Sequence, residues 1–375
     1  MKRIINLVDN ILPENSGIWK AAISTSEILQ KKHGYVSQIW FPEVGILTQN
    51  TDHLYTDHLC KFVPLHVLKT QTLKALISKE GISPNESIII SHGCWQFPTR
   101  WGSRFKDLGF NWIYVPQGML EPWSMKQKKW KKKLYYSLYE RSSSKKADLV
   151  RAVSTPEKAN LDINYNNTIL IPNGVRIPHT EVLSSKLNQP IIILFMGRLH
   201  HKKGILHLVR AWIQSDLNNN PEFILAIAGP DQGELQPVKE YMKNSSNIEY
   251  LNSLSGKAKE LILAQSTYFI LPSFSEGFPS AVIEAMSYGC IPIISEGCNF
   301  PESINNNLAL KISTEIKSIK DALNTIPSME NEKVEKLAAL NYKFIAENYS
   351  IDKIADLQHH TYNNLITSFN GKLAR

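Results

Sequence analysis

Short β-prone apolar runs recur along this chain, separated by stretches with helical rather than alternating pattern. In the first half they fall at residues 4–8, 37–40, 88–90, 112–115 and 149–153, with helical stretches such as 20–31 and 68–80 between them. Runs near 191–196, 223–228, 268–271 and 291–294 repeat the theme in the second half. Parallel strands cannot be joined by a tight turn and need a crossover, usually a helix. The alternation therefore predicts α/β architecture: two doubly wound, Rossmann-like domains facing an interdomain cleft, with ligands outside the carboxyl ends of the strands. Residues 176–189, with Pro178, polar side chains and no clear period, read as the linker.

Composition narrows the class. With 375 residues, 43% apolar and 20% charged, the chain is an ordinary globular protein of two or three domains. No solenoid repeat, heptad run or low-complexity tract interrupts it, and the clusters 142–144 and 218–220 read as loops. Cys60, Cys94, Cys290 and Cys298 lack zinc-ligand spacing and are expected to be reduced thiols. The apolar run after Met1-Lys2-Arg3 is too short for a signal peptide, and no stretch approaches the ~20 apolar residues of a membrane span. A cytoplasmic protein is the simplest expectation.

Two strand-to-turn segments carry the chemistry. The run ending at Leu271 is closed by Pro272, and Ala281, Val282, Ile283, Ala285 and Met286 carry a helix on to Gly289, with Pro279 suited to its first turn. Glu276 then sits on the loop and Glu284 on the helix. A helix starting near Phe278 to Ser280 offers free N–H groups to an anion such as a diphosphate, and the two carboxylates could hold hydroxyls beside it. An isolated Glu at either place would equally be an ordinary solvated charge. Upstream, the strand 191–195 runs into Met196-Gly197-Arg198-Leu199-His200-His201-Lys202-Lys203-Gly204 and then an amphipathic helix. Arg198 and Lys203 share one loop, so a planar fork and a point charge can reach one anionic group, for which a pyrophosphate is the natural guest. No Asp-x-Asp pair suggests a metal-bridged diphosphate, so no metal or other cofactor is expected and protein cations would neutralise the leaving group.

Gly-Arg-Leu-x3-Lys-Gly followed by Ser-x2-Glu-Gly-Phe-Pro-x4-Glu-Ala-Met resembles the retaining GT-B glycosyltransferases of family four. Ile171-Pro172-Asn173-Gly174-Val175, Ala228-Gly229-Pro230-Asp231 and Gly-x2-Pro-Ile-Ile-Ser at 289–295 continue the likeness. Ser91-His92-Gly93-Cys94-Trp95 and Pro116-Gln117-Gly118-Met119-Leu120-Glu121-Pro122-Trp123 resemble a bacterial surface-polysaccharide branch of that family, in lipopolysaccharide, O-antigen or capsule synthesis.

The resemblance implies an acceptor-binding domain over 1–176, a nucleotide-sugar-binding domain over 177–350 and a helix over 351–375 that crosses back to the first. It implies a hexosyl transfer from a nucleoside-diphosphate sugar to a glycan or polyprenyl-diphosphate-linked acceptor. Arg198 and Lys203, beside Gly197, would grip the diphosphate, and Glu284 the ribose hydroxyls. Glu276, with Gly277, Phe278, Pro279 and Ser280, would face the hexose and its phosphate. Ser253 and Leu254 would meet the base through their backbone. His92 would approach the anomeric carbon, although a histidine there could also be a satisfied core residue. Gly17 stands where relatives have a Gly-Gly pair that lets the backbone approach the donor. The chain departs from the family pattern there with Asn15-Ser16-Gly17-Ile18, with Arg176 where Asp is common, and with Gln117 where a basic residue or His is common.

Residues 126–146 hold nine Lys or Arg and a single acid, Glu140, so the chain's net charge of +8 resides there and the remainder balances to zero. Trp130, Leu134 and Leu138 recur at helical spacing within it, with Tyr135 and Tyr139 beside them. A core-facing helix with a solvated basic side, a helix on an anionic inner-leaflet surface, and a nucleic-acid contact all fit this pattern. No nucleic-acid recognition motif accompanies the charge, so nucleic acid is not expected as a partner. The membrane reading places the protein on the cytoplasmic face of the membrane. A nucleotide-sugar epimerase or hydrolase on the same scaffold, and a catalytically silent membrane-associated scaffold, stay open as alternatives.

Overall fold

The computed structural model describes residues 2–12, 15–42, 60–65, 70–95, 97–127, 129–178 and 190–373. Most of the expected linker, 179–189, lies outside these residues, as do 68 and 69 of the expected helix 68–80, and Lys128. Two compact units emerge: residues 1–174 with 351–375, and residues 175–350.

The first unit holds β1 (Arg3–Leu7), β2 (Val36–Pro42), β3 (Cys60–Leu65), β4 (Ser87–His92), β5 (Asn111–Val115), β6 (Leu149–Ala152) and β7 (Thr168–Leu170). Among the described residues they form one parallel sheet in the order β3-β2-β1-β4-β5-β6-β7. The central strands β1, β4 and β5 are buried along almost their whole length, as a parallel sheet covered on both faces requires. The last helix, Ile351–Leu373, packs against this unit: Thr25 Oγ1 donates to Gln358 Oε1 at 2.6 Å and Lys2 Nζ to Asn363 Oδ1 at 2.8 Å.

The second unit holds β8 (Ile191–Met196), β9 (Phe223–Ala228), β10 (Ile248–Tyr250), β11 (Tyr268–Leu271), β12 (Ile291–Ser295) and β13 (Leu310–Ile312), parallel in the order β10-β9-β8-β11-β12-β13. In both sheets the order reverses beside the first strand, between β1 and β4 and between β8 and β11. There the two connections leave in opposite directions and open a crevice at the carboxyl ends.

Three expectations are corrected. Residues 20–31 are not one helix but parts of two, Ser16–Ile23 and Ser26–His33, broken where Thr25 turns to the last helix. The serines at 142–144 lie in a helical turn, Arg141–Ser144, rather than a loop, because Ser144 Oγ bonds back to Glu140 O at 2.7 Å and meets Tyr165 Oη at 2.8 Å. The basic segment is not one regular helix: it runs as Pro122–Lys126, then Lys129–Tyr135, a π turn over Tyr136–Glu140, and Arg141–Ser144. All four cysteines are buried and none is in a disulfide. Among the described residues no helix is long and apolar enough to cross a membrane.

Candidate active site

In the second unit the loops that leave β8 and β11 flank the reversal point and are stitched together. The β8 loop closes in a 3-10 turn, His201–Lys203, whose Lys202 N–H donates to His200 Nδ1 at 3.2 Å. Gly204 follows with φ +70, and a Cβ there would sit 2.2 Å from the Pro272 carbonyl oxygen. That approach lets Phe274 N and Ser273 Oγ both donate to Lys202 O, at 2.8 and 3.1 Å. A third loop, after β12, joins in: Ser295 Oγ donates to Ser273 O at 2.5 Å, Glu276 N to Gly297 O at 2.6 Å, and Asn299 Nδ2 to Glu276 O at 2.6 Å.

The result is a clamp. Lys203 Nζ lies 2.7 and 2.8 Å from the two carboxylate oxygens of Glu276, which is only 8% exposed. Gly204→Ala is expected to cost about 2 kcal/mol, from positive φ and the Pro272 overlap. The check is the melting temperature, which should fall by roughly 5 °C.

The helix Ser280–Ser287 begins beside this pair with no side chain capping its N-terminus. Pro279 is its N-cap rather than a first-turn residue, because a tight turn in which Ser280 N donates to Phe278 O at 2.9 Å delays the helix by one position. Gly277 and Phe278 are half-buried, and Ser280 is exposed. One turn on, Glu284 is held by Lys259 Nζ at 2.5 Å, from the helix Gly256–Gln265. Lys259 escaped the sequence reading, since nothing local links two helices 25 residues apart.

Arg198 does not join Lys203 on Glu276. It is exposed, and its Nη1 donates to Gln232 Oε1 at 3.0 Å, on the loop after β9. The glycines on this side have a steric reason: Gly229, at φ +147, would place a Cβ 1.8 Å from the Gly197 carbonyl oxygen. Gly229 N donates to Asn252 O at 2.8 Å, which ties the β9 loop to the one carrying exposed Ser253 and half-buried Leu254.

The first unit has a polar pocket at its own reversal point. A cavity of about 170 Å³ is lined by Asp9, Asn10, Asn15, His92, Gly93 and Trp95, among others. Asp9, with its carboxyl pushed up by burial, and Asn10 were missed in the sequence; the only signal for them is their place just after the first strand. Gly17 is the second residue of the nearby helix Ser16–Ile23, and a Cβ there would meet nothing within 4 Å, so packing does not require a glycine.

His92 is the last residue of β4 and is buried. Its Nε2 lies 3.0 Å from Asn6 Oδ1, and its Nδ1 lies 3.4 Å from Gln117 Nε2. Asn6 Nδ2 donates to Gln38 O at 3.2 Å, which turns the amide oxygen toward the ring. A neutral imidazole with its proton on Nε2 satisfies both neighbours. Burial, helped by the Arg151 charge, holds the pKa down at about 3. The histidine is therefore held as a fixed, neutral ring rather than a titrating base near neutrality. The unfolded chain takes up a proton near pH 6.5 that the native state refuses, so this contribution is complete above that value and lost as pH falls toward 3. The ¹³Cε1 resonance of His92 is expected to stay flat between about pH 5 and 8 while exposed histidines titrate.

Two Rossmann-like units, each with a polar site at its strand-order reversal, define the GT-B architecture. HepE of Anabaena, solved in complex with UDP and glucose, shares it with a TM-score of 0.75 at 13% identity, over 97% of this chain and 100% of that one. The family model of the glycosyl transferases group 1 matches residues 181–344, within the second unit. Similar curated proteins include a component of the human phosphatidylinositol N-acetylglucosaminyltransferase, 26% identical over 200 residues, 50% of this chain and 39% of that protein. Another is the Escherichia coli UDP-Gal:alpha-D-GlcNAc-diphosphoundecaprenol alpha-1,3-galactosyltransferase, 28% identical over 209 residues, 50% of this chain and 53% of that protein. The chain spans about half or less of the length of these curated relatives.

Proposed function

We propose that the protein is a retaining, metal-independent glycosyltransferase. It moves a hexosyl group from a nucleoside-diphosphate sugar to a hydroxyl of a lipid-linked glycan in bacterial surface-polysaccharide synthesis. The observation that carries this reading is the Lys203–Glu276 pair beside the uncapped start of the helix Ser280–Ser287, within the family-matched unit. In the donor-free protein each neutralises the other. An arriving diphosphate takes Lys203 and the helix N-terminus, with Arg198 added from its exposed loop, and frees Glu276 to accept hydrogen bonds from the hexose.

The transition state breaks the anomeric C–O bond to the diphosphate, so charge grows on the leaving oxygens. Cations and backbone N–H groups already fixed in place are the effective way to stabilise it. In the retaining course the acceptor oxygen bonds to the same face, and the departing phosphate takes its proton. A dedicated carboxylate base is not needed. His92, neutral and buried, would orient the sugar from the first unit.

The donor is proposed to be a UDP-sugar, in line with the UDP complex of HepE and the UDP-Gal in the name of the Escherichia coli relative, and the acceptor a polyprenyl-diphosphate-linked glycan. Binding to the native state raises the melting temperature, so wild type and Lys203→Ala are compared against UDP-, GDP-, CMP- and dTDP-sugars. A rise with UDP-sugars, lost in the variant, is the expected result. No rise with any donor would sink the proposal.

A further inference from the structure

The segment that concentrates the charge of the chain turns its apolar side outward. Trp130 is 82% exposed, Leu134 63%, Leu138 58% and Tyr139 59%. The opposite side is fixed to the first unit by the one acid of the segment. Glu140 is buried, accepting from Thr99 Oγ1 at 2.6 Å, Tyr114 Oη at 2.9 Å and Trp95 N at 3.1 Å. Tyr135 adds a hydrogen bond from Arg100 Nε at 3.1 Å and an edge contact with Trp95. With the polar anchor inward, Trp130, Leu134 and Leu138 form a row along the outer surface, four residues apart. Exposed Lys129 and Lys133 lie along one side of that row and exposed Lys131 along the other. The core-facing reading of these apolar residues is thereby excluded.

We infer that residues 129–144 are a docking face for an anionic bilayer, on which the helical segment lies flat with Trp130, Leu134, Leu138 and Tyr139 in the acyl boundary and the lysines at the phosphate level. Charge complementarity selects this occupant. A second copy of the chain would bring the same lysines against one another. A nucleic acid would use the cations but leave the Trp-Leu-Leu row in water. A lipid surface satisfies both at once, with Trp and Tyr at the interface and the Lys stems lying along the apolar boundary. The inference is independent of the transfer reaction, since none of the residues it offers to the bilayer belongs to the clamp or lines the His92 pocket.

The test is co-sedimentation of the full chain with vesicles of phosphatidylcholine alone or with about 30–40% phosphatidylglycerol, an anionic fraction that gives a strong surface potential. Wild type is expected on the anionic vesicles and to be released by high salt. Leu134→Ser/Leu138→Ser is expected to lower partitioning by roughly tenfold or more, and Lys129→Glu/Lys131→Glu/Lys133→Glu to abolish the preference for anionic lipid. These positions are exposed, so unchanged melting curves are the control for folding. Absence of wild type from anionic vesicles would overturn the inference, as would serine variants that bind like wild type. Retention by duplex DNA in preference to vesicles, or a dimer in sedimentation velocity dissolved by Leu134→Ser, would also overturn it.

Discussion

Lys203→Ala is expected to lower turnover of a nucleoside-diphosphate sugar by roughly 10²–10³-fold, the size seen when one fixed group is removed from a developing negative charge. The loss should fall mainly on kcat, because the charge on the leaving diphosphate is greater in the transition state than in the bound donor. The same change strips Glu276 of its partner in a site that is mostly buried, with a stability cost of about 2 kcal/mol. A second variant separates the effects. In Lys203→Ala/Glu276→Gln the unpaired charge is gone, so the melting temperature should recover while turnover stays low. Turnover of Lys203→Ala within a few-fold of wild type would show that this cation does not serve the leaving group.

Glu140→Ala is expected to destabilise the first unit by about 3 kcal/mol, with a fall in melting temperature of roughly 10 °C. Its carboxylate closes three donors from three elements: the Trp95 N–H after β4, Thr99 on the helix Phe97–Asp107, and Tyr114 on β5. Removing it leaves all three without that acceptor, two of them, Thr99 and Tyr114, in the buried interior. Glu140→Gln keeps one acceptor oxygen and should lose less. Thermal melts of the two variants, paired with amide exchange over residues 129–144, check both the magnitude and its location. A loss below about 1 kcal/mol in Glu140→Ala would mean that water replaces the carboxylate.

The strands that were readable in the sequence are those with neighbours on both sides. Residues 191–196 and 223–228 form strands with the bounds expected, because a strand sandwiched between two others and covered by helices must be apolar nearly throughout. The four strands that were not read, β3, β7, β10 and β13, are the four sheet edges. An edge strand satisfies one side only, so it can be three residues long and partly exposed, as Thr168–Leu170 is, or can carry a proline, as β3 does at Pro64. The site divides in the same way. Lys203 and Glu276 were legible because each stands at a fixed distance from a strand end and a helix start. The partners Lys259 for Glu284 and Gln232 for Arg198 were not, since side chains meeting across separate loops leave no spacing in the chain. The basic segment was legible in charge and period but not in sense. Only the inward hydrogen bonds of Glu140 decide which side of it faces water.

The shared hydrogen bonds of the loops after β8, β11 and β12 bear on how such a site can be redesigned. Lys202 O, Ser273 O, Glu276 O and Gly297 O each take a bond from a neighbouring loop, so the geometry of each loop depends on the other two. Exchanging one of them alone for a foreign sequence should leave carbonyls facing donors that are no longer there. Grafts into this site would have to move residues 197–204, 272–279 and 295–299 as a single cassette, whereas the loop around Ser253 and Leu254, linked to the β9 loop by the bond from Gly229 N to Asn252 O, could be exchanged by itself.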